Sequence, residues 1–318
     1  MTRFLQLLRA SCFGVCLSGT GVAAEPVVIG VPAWPSAQVT AHILSATLQD
    51  ELGVETELRE QGTMTILGGI GSGKVHIHPE IWLPNLEASV DRLSAEPAKL
   101  VLGQHGVAAS QNVCTTHQTR QETGLTSVSD LTNPDIAARF DTDGDGKGEI
   151  WIGAPTWSST EIERIRARSY GYDQTMTLLE MPEQVAMAAV DAAAALGKPI
   201  VFYCYGPHHV FDLHDVVMLD EPAHDSDRWT IVKRADDPDW LTKSRADTAW
   251  DEGRFHIGFA ASLGQDMPAV ATFLNAVKLT ASDATTMSYA VEVEGKPADQ
   301  VAQEWIAANK SRLEEWTK

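Results

Sequence analysis

Two stretches of this chain repeat one rhythm: a short apolar strand, a turn, then a helix. That rhythm limits the fold more than any other feature. "PVVIGVPAW" reads as a buried strand, Val27 to Val31, entering a turn with two prolines around Trp34. Ser36 is placed to cap a helix through "QVTAHILSATLQDEL", which Gly53 ends. "VETELRE" alternates like a half-buried strand, "TMTILGGIGSG" reads as a short helix weakened by glycines, and "KVHIHPEIW" as another strand. The rhythm restarts near residue 120. "SVSDLTNPDIAARF" holds a helical stretch, "EIWIGA" a strand, and "SSTEIERIRARSYG" a helix with Ser158 or Ser159 as cap. An alanine-rich helix closed by Gly197 and the strand "KPIVFYCY" follow, and helices at "DMPAVATFLNAVKL" and "PADQVAQEWIAANKSRLEEWTK" complete the chain. Alternation of this kind predicts an α/β fold with a mostly parallel sheet. The 318 residues suffice for two domains.

Trp34, Trp82, Trp157 and Tyr205 share a position: each falls in the turn after a predicted strand. The carboxyl ends of strands in open parallel sheets are where ligands bind. One such tryptophan is ordinary packing; four, drawn from both runs, point to a shared site. Aromatic faces attract cations, and a ring of them suits a quaternary ammonium, which cannot hydrogen-bond.

Composition narrows the partners. The chain has 24 Lys and Arg against 43 Asp and Glu, a net charge of −19. That argues against nucleic acid or an anionic membrane surface. Residues 1–24 read as a cleavable signal peptide, with Arg3 and Arg9, a short apolar run, and small residues before Glu25. No later stretch is apolar for long enough to span a membrane. The chain therefore reads as exported, and a disulfide is permitted for its two remaining cysteines, Cys114 and Cys204. Spacing alone leaves a pair and a buried free thiol both open.

"DTDGDGKGE" is the front half of a calcium loop. Asp141, Asp143 and Asp145 alternate, Gly146 supplies the sharp turn, the Lys147 carbonyl would follow, and Glu149 would ligate directly or through water. Ile152 stands where a full EF-hand loop needs its bidentate Glu, so only a partial calcium pattern remains. An acidic, Asx-rich turn facing water is the other reading. "GGIGSGKV" fails as a phosphate loop because Val75 replaces the hydroxyl that holds magnesium. His76 and His78 share a strand face without a third ligand, and His208 and His209 lack a paired nucleophile. An exported calcium-dependent hydrolase built on Ser158, Ser159 and the two later histidines is the weaker reading, because no catalytic motif supports it.

The stretches "IWLPNLE", "DLTNPDIAARFDTDGDGKGE", "GAPTW", "GKPIVFYCYGPHHVFDL" and "VAQEWIAANKSRLEEW" resemble the periplasmic glycine betaine-binding proteins of ABC importers. That family also holds choline, proline betaine and trimethylamine N-oxide binders. The resemblance covers nearly all of the chain after the leader. It implies a two-lobed periplasmic binding protein (type II-like) with two crossovers and a ligand cleft between the lobes. Lobe 1 would take residues 25–115 and the returning 225–318, and lobe 2 residues 116–224. It implies no catalysis, a monomer that docks on importer permease subunits, and an aromatic cage for a quaternary amine or amine oxide. Carried over, Trp82 in "IWLP" and Trp157 in "GAPTW" look like box tryptophans, Tyr205 stands where many members have Trp, and Trp34 matches choline-type members. The backbone N–H groups of Ser158 and Ser159 would hold an anionic end at a helix start. Leu86 stands where some betaine binders place a His, and Glu80 lies two residues before Trp82. That departure fits trimethylamine N-oxide or a plain cation such as choline; a choline or carnitine binder of the same family is the alternative. A ligand role and a solvated strand-end charge both remain open for Glu80. The calcium would be structural, bracing the backbone that presents Trp157.

Overall fold

The structure, a computed structural model, describes residues 25–318, so the expected signal peptide at 1–24 lies outside the described residues. Strand Val27–Val31 pairs in parallel with Thr56–Glu60 along its length and with Ile77–Leu83 at Ile29 and Ile77. Between the first two strands runs helix Pro35–Leu52. Its N-cap is Trp34 and not Ser36; Pro35 takes the first helical position, where a missing N–H costs nothing, and Gly53 ends the helix at φ 64°. In the second run, Gly148–Trp151 pairs in parallel with Met176–Leu179 and touches Val201–Gly206 through Trp151 and Phe202.

The sheet is mixed, which corrects the mostly parallel expectation. Its nine strands include four that the sequence reading missed, and two of these, Leu100–Thr116 and Gly253–Ala260, form its centre. Leu100–Thr116 is 17 residues long, about 55 Å at strand rise. Its first part pairs antiparallel with Gly253–Ala260 and its second part with Val201–Gly206. One strand thus belongs to both halves. Gly253–Ala260 in turn pairs antiparallel with Ile77–Leu83. The segment before it stays with the second half: Trp240 and Ala246 pack on Ile165 of helix Ser158–Tyr170, and the Trp250 indole donates to Glu163 at 2.8 Å. The chain joins the first half's strands at Gly253.

Two further elements differ from expectation. The last predicted helix is two, Ala298–Ala308 and Lys310–Trp316, broken at Asn309. Helix Ala281–Glu292 was not foreseen, although Thr280 and Asp283 form a capping box that opens it. An apolar core fills each half: Ile29, Leu44, Ile66 and Phe273 in one, Val128, Leu131, Ile150 and Tyr172 in the other. An aromatic cluster lies between them.

Candidate functional site

The cleft between the halves holds about 390 Å³ of empty space, part of it open to solvent, and every ligand-site residue expected from sequence lines it: Trp34, Glu80, Trp82, Trp157, Ser158, Ser159 and Tyr205. Each arrives by a different local device. Trp34 precedes the first helix. Trp82 and Tyr205 lie near the ends of their strands, not in the turns beyond them. Trp82 is held flat on Phe255, its cross-strand partner, with ring centroids 5.1 Å apart at 28°. Trp157 is the N-cap of helix Ser158–Tyr170, so neither serine caps that helix. The turn before it needs Gly153, at φ 122°, where a Cβ would sit 2.4 Å from Thr160 Oγ1.

Successive rings meet near right angles. Trp34 and Trp157 stand 6.3 Å apart at 87°, Trp157 and Tyr205 5.6 Å apart at 86°, and Tyr205 and Trp82 5.4 Å apart at 89°. Such a set forms walls, not a stack. The first half contributes Trp34 and Trp82, the second Trp157 and Tyr205.

Glu80 is fully buried, which removes the solvated strand-end alternative. Its Oε2 accepts the indole N–H of Trp34 at 2.6 Å and of Trp82 at 3.2 Å, so one carboxyl oxygen sets two walls. Its Oε1 has no partner. Burial pushes the Glu80 carboxyl up to about 7, against the opposing hydrogen bonds of Trp34, Ser36 and Trp82. Ser158 and Ser159 line the cavity and begin a helix that no side chain caps, so its first amides have no side-chain partner.

Four lining residues escaped the sequence reading: Thr63, Asn85, Gln111 and Tyr203. Asn85 and Gln111 exchange two amide hydrogen bonds, at 2.7 and 2.8 Å, and the Tyr203 hydroxyl donates to Gln111 at 2.8 Å. Tyr203 was accessible in principle, since it lies two residues from Tyr205 on one strand face. Gln111 was not, because its strand went unread. Among the described residues, no Lys, Arg or His lines the cavity.

The Asp-rich loop lies elsewhere. Asp141, Asp143, Asp145 and Glu149 bring one ligand atom each within 4.8 Å of one another. Several of these oxygens also accept backbone N–H groups of the loop itself, as Asp141 does from Gly144 and Gly146. Glu149 Oε1 is buried with no hydrogen-bond partner, which leaves it free to ligate a cation. The donor set, hard oxygens only, fits calcium. Gly148–Trp151 follows directly and leads into the Gly153 turn.

The later histidines do not meet the serines. His209 Nδ1 lies 2.6 Å from Ser288 Oγ, and His208 Nδ1 accepts the Val210 N–H at 3.1 Å. Cys114 and Cys204 form a disulfide, with Cα atoms 5.7 Å apart, tying the long shared strand to the strand that carries Tyr205.

Residues 25–308 match the family model of the substrate-binding domain of ABC-type glycine betaine transport systems. The chain belongs to that family. Among curated relatives, the glycine betaine/proline betaine-binding periplasmic protein of Salmonella typhimurium is 22% identical, over 99% of this chain and 95% of the relative. The trimethylamine N-oxide-binding protein of Pelagibacter ubique is 21% identical over the full length of both. A solved choline-binding protein of an ABC transporter, in complex with choline, shares the fold with TM-score 0.70 at 16% identity, over 92% of this chain and 91% of that one. These family members are binding proteins. Among the described residues, no helix is long and apolar enough to cross a membrane.

Proposed function

We propose that this chain is the periplasmic substrate-binding protein of an ABC importer and captures a trimethylammonium-type osmolyte, of the glycine betaine class or trimethylamine N-oxide, by cation–π contacts. The observation that carries this reading is the convergence of four buried rings, Trp34, Trp82, Trp157 and Tyr205, on one cavity. A desolvated cation–π contact contributes on the order of 0.5–2 kcal/mol. Four at the upper end of that range reach about 8 kcal/mol, the amount that micromolar affinity needs. Ser158 and Ser159 amides, with the Asn85 and Gln111 side chains, supply donors for an oxygen on the ligand.

A second reading is a plain cation of the choline type. The buried carboxyl of Glu80 and, among the described residues, the lack of any cationic side chain lining the cavity favour it. The lobe division, with 25–115 and the returning 225–318 as lobe 1 and 116–224 as lobe 2, goes with the importer reading, except that the stretch before Gly253 packs on lobe 2. So do the leader at 1–24, permease subunits as partners, a monomeric state and an absence of catalysis.

Calcium is the proposed resident ion of the loop, held by Asp141, Asp143, Asp145, Glu149 and the Lys147 carbonyl. It would supply only charge neutralisation and rigidity. Asp141 to Glu149 then anchor the strand that leads to Trp157.

The functional test is quenching of tryptophan fluorescence on titration with trimethylamine N-oxide, glycine betaine and choline, with unmethylated glycine as control. Saturable quenching by at least one methylated compound and none by glycine is expected. A flat response to all three defeats the assignment.

A further inference from the structure

Glu183 is not among the residues lining the cavity, and no motif pointed to it, yet it stands directly behind one cage wall. The Tyr205 hydroxyl donates to Glu183 Oε1 at 2.6 Å. Both residues are buried, and Glu183 Oε2 has no partner. Glu183 is the first residue of helix Glu183–Leu196, where amide dipoles favour negative charge. Beside both lies His208, its ring centroid 4.8 Å from that of Tyr205 and its Nε2 3.2 Å from the same Oε1 though poorly aligned. Because His208 Nδ1 accepts the Val210 N–H, the neutral ring carries its proton on Nε2 and turns an N–H toward Glu183. His209 follows, bonded to Ser288 on helix Ala281–Glu292. Met287 and Ala290 of that helix pack into the first half's core. A buried array thus runs from a cage wall in one half to a helix of the other.

We infer that Glu183 is a positioning residue for ligand capture: it fixes the Tyr205 ring as a wall and, through the phenol hydroxyl, supplies the negative charge that balances an ammonium head group across that ring. This rests on the cage reading above. The groups around Glu183 favour it. Those that face it are Glu80 from strand Ile77–Leu83, Tyr203 and Tyr205 from their strand, His208 and His209 from the following loop, and Glu292 from helix Ala281–Glu292, which also senses Asp191. None of these is a cation at neutral pH; burial pushes both histidines down to about 3. With no ligand, burial pushes the Glu183 carboxyl up to about 8, so it holds its proton. A cation across the ring favours the carboxylate. Binding therefore lowers the Glu183 pKa and releases a proton, and affinity rises as pH climbs through about 8.

The experiment is titration calorimetry of the full chain with choline, glycine betaine and trimethylamine N-oxide at about pH 6 and about pH 9, in buffers of high and low ionisation enthalpy. The unsubstituted protein should bind choline several-fold more tightly at the higher pH, with fractional proton release. Glu183→Leu should lose roughly tenfold at both pH values, from a mispositioned wall. Glu183→Gln, whose amide oxygen still accepts the phenol, should restore most of that loss but not the pH gain or the proton release. Adding Glu183→Gln to Tyr205→Phe should cost little beyond Tyr205→Phe alone. A Glu183→Gln variant with the unsubstituted protein's pH profile and proton release overturns the inference, even if Glu183→Leu fails to fold. If the unsubstituted protein binds none of the three, the cage reading itself fails and takes this one with it.

Discussion

The indole of Trp157 stands at 86° to the phenol of Tyr205, with ring centroids 5.6 Å apart. One ring opens a helix and the other ends a strand, so two unrelated elements must hold a fixed corner. Removing a wall removes a cation–π face and leaves the corner open. Trp157→Ala and Trp82→Ala should each weaken ligand binding at least tenfold, or about 1.4 kcal/mol. Calorimetric titration of both variants checks this, and near-unchanged affinity in both contradicts the cage.

Glu80 brackets Trp34 and Trp82 from inside the protein, and its carboxyl is held up to about 7 by burial. A carboxyl raised on folding contributes stability that is complete below its ordinary pKa and is lost as pH rises through the folded value. The ligand-free protein should therefore lose stability between about pH 4.5 and pH 7 on this account, by at most about 3 kcal/mol. Glu80→Gln should lack that component. Melting curves of the two proteins across this range should diverge in favour of the Gln variant as pH rises; parallel curves would show that Glu80 ionises freely.

Arg166 is fully buried between Glu163 and Glu221, and the rings of Tyr170, Trp229 and Trp250 surround it at 5.6 to 5.9 Å. This ion cluster clamps the stretch before Gly253 to helix Ser158–Tyr170. Arg166→Met leaves two buried carboxylates without a cation, and should cost roughly 3–5 kcal/mol in denaturant unfolding. A loss below about 1 kcal/mol would mean that the carboxyls take up protons at no cost.

How much of this was legible in advance depended on whether the local signal matched the final environment. Trp34, Trp82, Trp157 and Tyr205 were legible because strand-end position depends only on local pattern. The long strand Leu100–Thr116 was not, because it is buried at both ends and exposed at Gln104, His105 and Gly106. No single alternation describes a strand that passes from one core through solvent into another. Gln111 and its partner Asn85 were lost with it. Glu183 carries no sequence signal of its own; only the tertiary approach of Tyr205 gives it a meaning. The disulfide was one of two open readings for its cysteines, and a separation of 90 residues could not decide between them.

The Asp-rich loop gives a prediction with a separate readout. Calcium that binds only the folded chain raises stability by about 2.7 kcal/mol at a hundredfold excess over its Kd. Calcium should raise the melting temperature of the unsubstituted protein, and Asp143→Ala should abolish that rise. No calcium response in the unsubstituted protein would make the loop an ordinary acidic turn.

The most direct test of the central claim compares charge at constant shape. The trimethylammonium compound that binds best is titrated calorimetrically beside its neutral isostere, in which a tert-butyl carbon replaces the nitrogen (for choline, 3,3-dimethylbutan-1-ol). The cage account predicts one site per chain, and an isostere weaker by about a hundredfold or more. Equal affinities would mean that the four rings recognise only an apolar shape, and the cation–π account would be wrong.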